Sequence, residues 1–216
     1  PGEALELRNF EPAVEGGYRR INGFSKYVSA IVPFTSSSAE KVLMVATFGD
    51  VVLAARGTSI YSATPGGSSW TSRDSGRTGA LKYNFERFNF DGTDKIIIAT
   101  GTSSPQILNS SFSTSVVSAS GTANFKFVEI FKNHIFFSGD ASNKQQISFM
   151  GPTETNSFTN GSGGGTIKVD TEIVALKSFR DDLIIFGKDR IYKLSGSSSA
   201  NFAITPISRN IGCSDG

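Results

Sequence analysis

Short apolar runs, each rich in Val, Ile or Phe, recur along the chain between polar stretches that carry glycine or proline. The strongest runs lie at residues 41–46 leading into 51–55, at 95–100, at 129–137 and at 182–186. Short runs of β-branched and aromatic residues that end at turn residues are typical of β-strands. No helical periodicity lies between them, so the pattern predicts an all-β fold.

A second, shorter apolar pattern follows each run, after a turn that contains glycine. Its isoleucines are separated by 47, 40 and 44 positions, and they are Ile60, Ile107, Ile147 and Ile191. Repeats of about 40–50 residues made of three or four short strands are typical of β-propeller blades, which occur in sets because one blade cannot bury both faces. The spacing predicts a partial β-propeller, with blades at residues 40–79, 80–122, 123–165 and 166–212.

The fourth unit shows the strand pattern most clearly. Residues 173–176, 183–186 and 190–194 are three strand-like segments joined by two charged turns. The continuous apolar run 183–186 predicts a strand that is covered on both faces, whereas 190–194 alternates as a half-exposed strand does. This gradient of burial is the one expected inside a blade.

The composition agrees with an all-β fold and argues against some classes of function. Eighteen Phe against two Met and one Trp indicate strands and turns more than helices. The formal net charge is +2 and the basic residues are scattered, which does not indicate a dedicated nucleic-acid surface. No run of eighteen apolar residues predicts a membrane span, and residues 1–6 lack the pattern of a signal peptide.

The start and the end of the sequence suggest a longer protein. The chain has no initiator Met, and residues 208–216 form a turn-rich phrase with no strand to close a fold. We expect the propeller to continue beyond this fragment, and residues 1–30 to be an N-terminal segment that acts as an interface or a ring-closing strand.

Candidate catalytic and metal-binding residues are few. The single His134 and the single Cys213 cannot build a His/Cys metal centre or a disulfide. No Gly-x-Ser-x-Gly elbow is present to support serine hydrolysis. We expect His134 to fill a hairpin corner and Cys213 to be a small buried side chain, with no enzyme activity, cofactor or metal.

Two acidic motifs have structural explanations. Asp181 and Asp182 with nearby Asp189 resemble a carboxylate cluster, but adjacent strand residues point to opposite faces, so a solvated turn is expected. Residues 72–78 (SRDSGRT) match the S-x-D-x-G-x-T core of the aspartate box of sialidase-like propellers, where the aspartate ties a turn to its own backbone. The glycine-rich residues 161–165 lack the Lys-Ser/Thr of a phosphate-binding loop and predict an exposed loop.

Four phrases carry a resemblance to a known family. They are NFEP at residues 9–12, GGYRRINGF at 16–24, the strand–turn–strand phrase at 181–192, and NIGC at 210–213. Together they resemble the nozzle, or tail tubular protein B, and the packaged-DNA stabilisation protein of short-tailed phages. The resemblance covers residues 7–24 and 180–213, about a third of the chain.

The resemblance implies a virion structural protein of the phage tail. Such a protein is assembled in the host cytoplasm as a homo-oligomeric ring, commonly six-fold, below the portal and the head–tail adaptor. The ring retains packaged DNA and forms part of the DNA ejection channel. Its implied partners are other copies of itself, the adaptor, other tail proteins and, transiently, phage genomic DNA.

Tyr18, Arg19 and Arg20 are the candidate inter-subunit residues. Tyr18 offers an aromatic anchor, and the two guanidiniums suit carboxylates of a neighbouring chain. The alternative is a solvated strand edge whose charges discourage edge pairing.

Two other functions remain open from the sequence. A sialidase-like propeller would require an arginine cluster and acid/base carboxylates that converge on the central axis. A glycan-binding module without catalysis could use the aromatic and polar loop at residues 156–161.

Overall fold

The computed structural model describes residues 9–21, 23, 25–30, 41–78, 82–120, 123–152 and 156–214. The strands in these residues form four four-stranded antiparallel sheets and one two-stranded sheet. This arrangement confirms the all-β prediction. The helical segments among the described residues are two short 3₁₀ turns, and none of these residues forms a helix able to cross a membrane.

The strand bounds follow chain order. The N-terminal hairpin consists of β1 (Phe10–Pro12) and β2 (Tyr18–Arg20). Blade 1 consists of β3 (Val42–Phe48), β4 (Val51–Arg56), β5 (Ser59–Ala63) and β6 (Thr71–Asp74). Blade 2 consists of β7 (Asn84–Phe88), β8 (Lys95–Ala99), β9 (Gln106–Asn109) and β10 (Thr114–Val116). Blade 3 consists of β11 (Phe127–Phe131), β12 (His134–Ser138), β13 (Gln146–Met150) and β14 (Gly165–Lys168). Blade 4 consists of β15 (Ile173–Phe179), β16 (Asp182–Gly187), β17 (Ile191–Ser195) and β18 (Ala203–Ser208).

Each blade is a meander in which consecutive strands are neighbours in the sheet. The first strand of a blade is its inner strand, and β11 contacts both β7 and β15. The repeated isoleucines Ile60, Ile107 and Ile191 lie in the third strands, as the spacing predicts. One expected boundary shifts: β14 pairs with β13, with Gln146 opposite Lys168, so blade 3 extends past residue 165.

Three apolar clusters hold consecutive blades together. Each cluster draws side chains from the facing sides of two blades. Leu53 and Ile96 belong to the cluster between blades 1 and 2, Ile97 and Phe137 to that between blades 2 and 3, and Phe136 and Leu183 to that between blades 3 and 4. The alternation of side chains along each strand supplies both faces of a blade, as the propeller architecture requires.

The apolar run 129–137 is two strands and not one. It is broken by Lys132 and Asn133, which have φ values of 45° and 56° and form the tight turn between β11 and β12. Two consecutive residues in the left-handed region match the twist of a two-residue hairpin. This turn is the hairpin corner that the sequence predicts beside His134.

The prediction that strand 183–186 is covered on both faces is wrong. Leu183 and Ile185 are buried in the cluster with blade 3, whereas Ile184 and Phe186 on the opposite side are only half-buried. Among the described residues, no blade packs against that side. We call the surface formed by Phe179, Ile184, Phe186 and Ile191 the open face of blade 4.

A segment that precedes blade 1 packs on its outer strands. Val28 forms an isolated parallel bridge with Gly67 and is buried. The indole N–H of Trp70 donates to the carbonyl of Ala30 at 3.3 Å. The single tryptophan of the chain therefore lies where this segment meets blade 1.

Candidate functional site

The inner strands β7, β11 and β15 border a cleft of about 500 Å³, which we call the axial cleft. Successive side chains of a strand point to opposite sides, so a charged residue on an inner strand can turn toward this cleft while its neighbours pack between blades. One acidic or basic side chain from each inner strand does so: Glu86, Glu129 and Lys177. We call these three residues the axial triad.

The axial triad joins three blades. The Lys177 ammonium donates to Glu86 Oε1 at 3.0 Å and to Glu129 Oε2 at 2.9 Å. The other oxygen of Glu129 accepts from the backbone N–H of Ser178 at 2.9 Å and from its hydroxyl at 2.6 Å. Glu129 is 3% exposed, so its charge is buried with donors on both oxygens. A buried carboxylate needs such a complete set of partners.

The triad shifts two pKa values. Burial raises the pKa of Glu86, and the negative charge of Glu129 raises it further, while Lys177 acts in the opposite direction. Burial would lower the pKa of Lys177, but hydrogen bonds and attraction from Glu129 and Glu86 outweigh it and raise that pKa. Glu86 can therefore hold a proton more readily than a free glutamate, which is a property of general acids.

The remaining chemistry of the axial cleft is limited. Its other basic residues are Lys82 and Lys126, and no arginine lies among the described residues that line it. No group of three or more His, Cys, Asp or Glu in the described part of the chain is placed to hold a metal ion. The arrangement is suited to bridging blades.

The axial triad was not predicted from the sequence. A signal was present: Glu86, Glu129 and Lys177 each interrupt an apolar strand, in the segments NFERF, FVEIF and VALKSF. A charged residue in the first strand of three successive repeats marks a common position near the axis. The spacing between repeats varies, so these three charged residues do not recur at a fixed interval in the sequence.

Tyr18, Arg19 and Arg20 lie in β2, which pairs only with β1 in its sheet. Tyr18 is 58% exposed. Arg19 donates to Glu11 of the same hairpin at 2.7 Å, so it already has a carboxylate partner within the chain. The interface role of these residues stays a prediction.

The aspartate-box motif links two blades. Asp74 forms an ion pair with the buried Arg77, whose guanidinium also donates to Gln106 of blade 2. The Arg77 guanidinium lies 5.9 Å from the Tyr83 ring centroid. The aspartate thus pairs with an arginine of its own motif and braces blade 1 against blade 2, instead of binding only its own turn.

The other sequence candidates lie apart from one another. His134 begins β12 and is buried, with Nδ1 2.6 Å from the carbonyl oxygen of Lys132 and its ring against Phe202 at 5.1 Å. Its place at the hairpin corner confirms the expected position. Cys213 is only half-buried, not buried as expected, and lies beside the axial cleft with its backbone N–H donating to the carbonyl oxygen of Gly187.

The carboxylates of blade 4 do not converge. Asp181 is paired with Lys132 at 3.1 Å, and Asp189 accepts from the hydroxyl of Thr171. Hydrogen bonds from Ser195 and then Lys193 lower the pKa of Asp182. Each group has its own partner, as expected of solvated turns.

No protein-family model matches the chain, and no curated protein matches it either. Solved structures do. The Neurospora crassa Pan2 WD40 domain is 12% identical, with a TM-score of 0.52, over 78% of this chain and 52% of that one. The extracellular domain of BT4673 from B. thetaiotaomicron is 8% identical, with a TM-score of 0.57, over 84% of this chain and 23% of that one.

A chain of the Mitotic Checkpoint Complex is 14% identical, with a TM-score of 0.55, over 81% of this chain and 54% of that one. The chain thus spans about half the length of the Pan2 domain and about a quarter of BT4673, by coverages of 52% and 23%. At these identities the likeness shows the fold alone, and it confirms the β-propeller.

Proposed function

We propose that this chain is the propeller part of a structural protein of a phage tail, of the nozzle type, and that it acts through assembly. The observation that carries the structural role is the open face of blade 4. The assignment to a tail rests on the resemblance of residues 7–24 and 180–213.

The second strand of blade 4 presents apolar side chains on the open face. In blades 1, 2 and 3, the side chains of the second strand that face the next blade include Leu53, Ile97 and Phe136, each fully buried. Ile184 and Phe186 face the same way in blade 4 but are half-buried. These apolar side chains lie beside the charged Lys177, Asp182 and Lys193 on the same face, a mixture that is compatible with a site that contacts other protein. This supports a module that is completed by assembly.

A sialidase-like hydrolase is the less favoured function. It would need an arginine cluster beside acid/base carboxylates. The axial triad offers lysine instead, and both oxygens of Glu129 are occupied by donors. The triad has the contacts of a brace between blades.

In the proposed assembly, several copies form a ring, six-fold by the family resemblance, below the portal and the adaptor. The channel of the ring retains the packaged genome and later conducts it. The scattered basic residues and the net charge of +2 suit transient contact with DNA better than tight binding.

The test is the mass of the protein in solution, by light scattering, alone and mixed with candidate adaptor and tail proteins. We expect a ring, or a chain that joins one when its partners are added. Phe179→Glu, on the open face and 60% exposed, should reduce this assembly. Val116→Glu, in blade 2 and 52% exposed, is the matched control.

A persistent monomer that binds no tail protein would count against the tail assignment. If Arg19→Ala with Arg20→Ala leaves assembly intact, the interface role of the N-terminal hairpin is lost. If Phe179→Glu and Val116→Glu reduce assembly to the same extent, the open face is not part of the assembly interface.

A further inference from the structure

A polar pocket of about 280 Å³ lies between blade 3 and the connection that leads from blade 2. We call it the rim pocket, since it is bordered by β13 and β14, the two outermost strands of blade 3. The residues that matter for its chemistry are Asp140, Asn143, Gln146, Ser148, Phe158 and Thr166. None of them belongs to the axial cleft or to the open face of blade 4.

The pocket exists because blade 3 has a small residue where other blades have a large one. The residue after the repeated isoleucine of the third strand faces the preceding blade. It is Leu108 in blade 2 and Tyr192 in blade 4, and both fill the cluster with the blade before. In blade 3 it is Ser148, which is 1% exposed and cannot fill the same volume. A serine at a buried packing position leaves room for a ligand.

The pocket offers unused hydrogen-bonding groups. Asp140 is buried, and its two carboxylate oxygens accept from the Asn124 backbone N–H at 3.2 Å and the Asn143 side-chain amide at 3.1 Å. Each oxygen keeps capacity for a further donor. Gln146 donates to the Ser148 hydroxyl at 3.2 Å, which leaves its carbonyl oxygen available. The Thr166 hydroxyl makes no hydrogen bond to the described residues.

An aromatic wall completes the pocket. Phe158 is half-buried, and its ring meets Phe125 edge-on with centroids 6.0 Å apart. Phe125 itself is 3% exposed, so Phe158 is the ring that a ligand can reach. An aromatic surface packs against apolar C–H groups, while the opposite wall binds hydroxyls.

The charge and the volume of the rim pocket limit the ligands that it can bind. Asp140 is the one ionisable residue among the described residues that line the rim pocket, so an anionic sugar or a phosphate would meet a negative charge without a compensating cation. Ligand pockets usually measure about 300–1,000 Å³, and the rim pocket, at about 280 Å³, lies just below that range. The dimensions suit a single ring.

We propose that the rim pocket binds one neutral saccharide ring, the terminal sugar of a glycan, through Asp140, Gln146 and Thr166 with its apolar side on Phe158. Such a site goes beyond the assembly role proposed above and does not depend on it. It would let a scaffold blade contact a glycan-bearing surface.

The test is binding of neutral monosaccharides, namely glucose, galactose, mannose and N-acetylglucosamine, measured by saturation-transfer NMR and by titration of chemical shifts. We expect binding of at least one of these sugars. N-acetylneuraminic acid and glucuronic acid are the anionic probes, and we expect no binding of either. Tighter binding of an anionic sugar would overturn the proposal.

Variants connect binding to this pocket. Thr166→Val, on the exposed outermost strand of blade 3, should weaken binding by about tenfold, since it removes a hydroxyl that pairs with the ligand. Thr205→Val, on the corresponding strand of blade 4, is the matched control and should not change binding. Ser148→Leu should fill the pocket and abolish binding, with circular dichroism as the check that the blades remain folded.

Two results would overturn the site. One is that none of the four neutral monosaccharides binds in either NMR experiment. The other is unchanged affinity in Thr166→Val when Thr205→Val behaves as the native chain does. Thr166→Val lies in blade 3, away from the open face, so light scattering of this variant keeps the test of sugar binding separate from that of the assembly.

Discussion

The two faces of blade 4 are built from the same strands yet differ in what covers them. Leu183 and Ile185 lie at 0% exposure against blade 3, whereas Ile184 and Phe186, in alternate positions of the same strand, are half-buried. Both pairs are equally apolar. The difference teaches that alternation in a strand fixes which side chains share a face, but the neighbouring blade decides whether that face is buried.

The largest expected effect comes from truncating the covered face. Leu183→Ala should lower the free energy of unfolding by about 2–5 kcal/mol, because it leaves a cavity in the cluster with blade 3. Ile184→Ala, one residue along and on the open face, removes much less buried area and should cost clearly less. Urea denaturation followed by circular dichroism measures both. Equal losses would mean that the open face is as covered as its opposite in solution.

The next largest expected loss of stability comes from the axial triad on the inner strands, where charged side chains take the place of apolar ones. Glu129→Ala should cost about 1–3 kcal/mol, since it leaves the Ser178 N–H and hydroxyl without their acceptor. Glu172→Ala is the matched control, because Glu172 pairs with Lys188 and Lys144 at the surface, where ion pairs contribute little to stability. Thermal unfolding at neutral pH compares the two. A larger loss for Glu172→Ala would contradict the brace at the axis.

The smallest expected effect is a pH dependence of stability that comes from Glu86 of the axial triad. The folded-state pKa of Glu86 is raised, so its contribution to stability is present below its unfolded pKa and is lost as pH rises through the folded pKa. Glu86→Gln should therefore compare more favourably with the native chain at pH 7 than at pH 4. Denaturant midpoints of both proteins at the two pH values provide the measurement. A difference that does not change with pH, or that changes in the opposite sense, would show that Glu86 is not shifted upward.

Much of the fold could be predicted from local patterns, because residues such as Ile60, Ile107 and Ile191 recur at the spacing of a repeat of short strands and turns. The hairpin corner beside His134 was predicted as well, whereas the left-handed backbone of Lys132 and Asn133 depends on hairpin pairing and was not. The axial triad was not predicted, although each member is a charged residue in the first strand of a repeat, because its contacts join residues up to 91 positions apart. Such a site forms only once three blades are stacked, and neither charge nor spacing within one blade shows it.

Apart from the contact of Lys177 with Glu86 at the axis, the blades meet their neighbours in a nearly linear array of interfaces, and such an array need not melt in one step. Trp70, the single tryptophan, sits where the segment through Ala30 meets blade 1, far along the array from the cluster between blades 3 and 4. Its fluorescence is therefore a built-in optical reporter of one end, whereas circular dichroism averages over every strand. If the fluorescence and circular dichroism transitions coincide, the four blades unfold as one cooperative unit. If the fluorescence changes first, the array opens from blade 1.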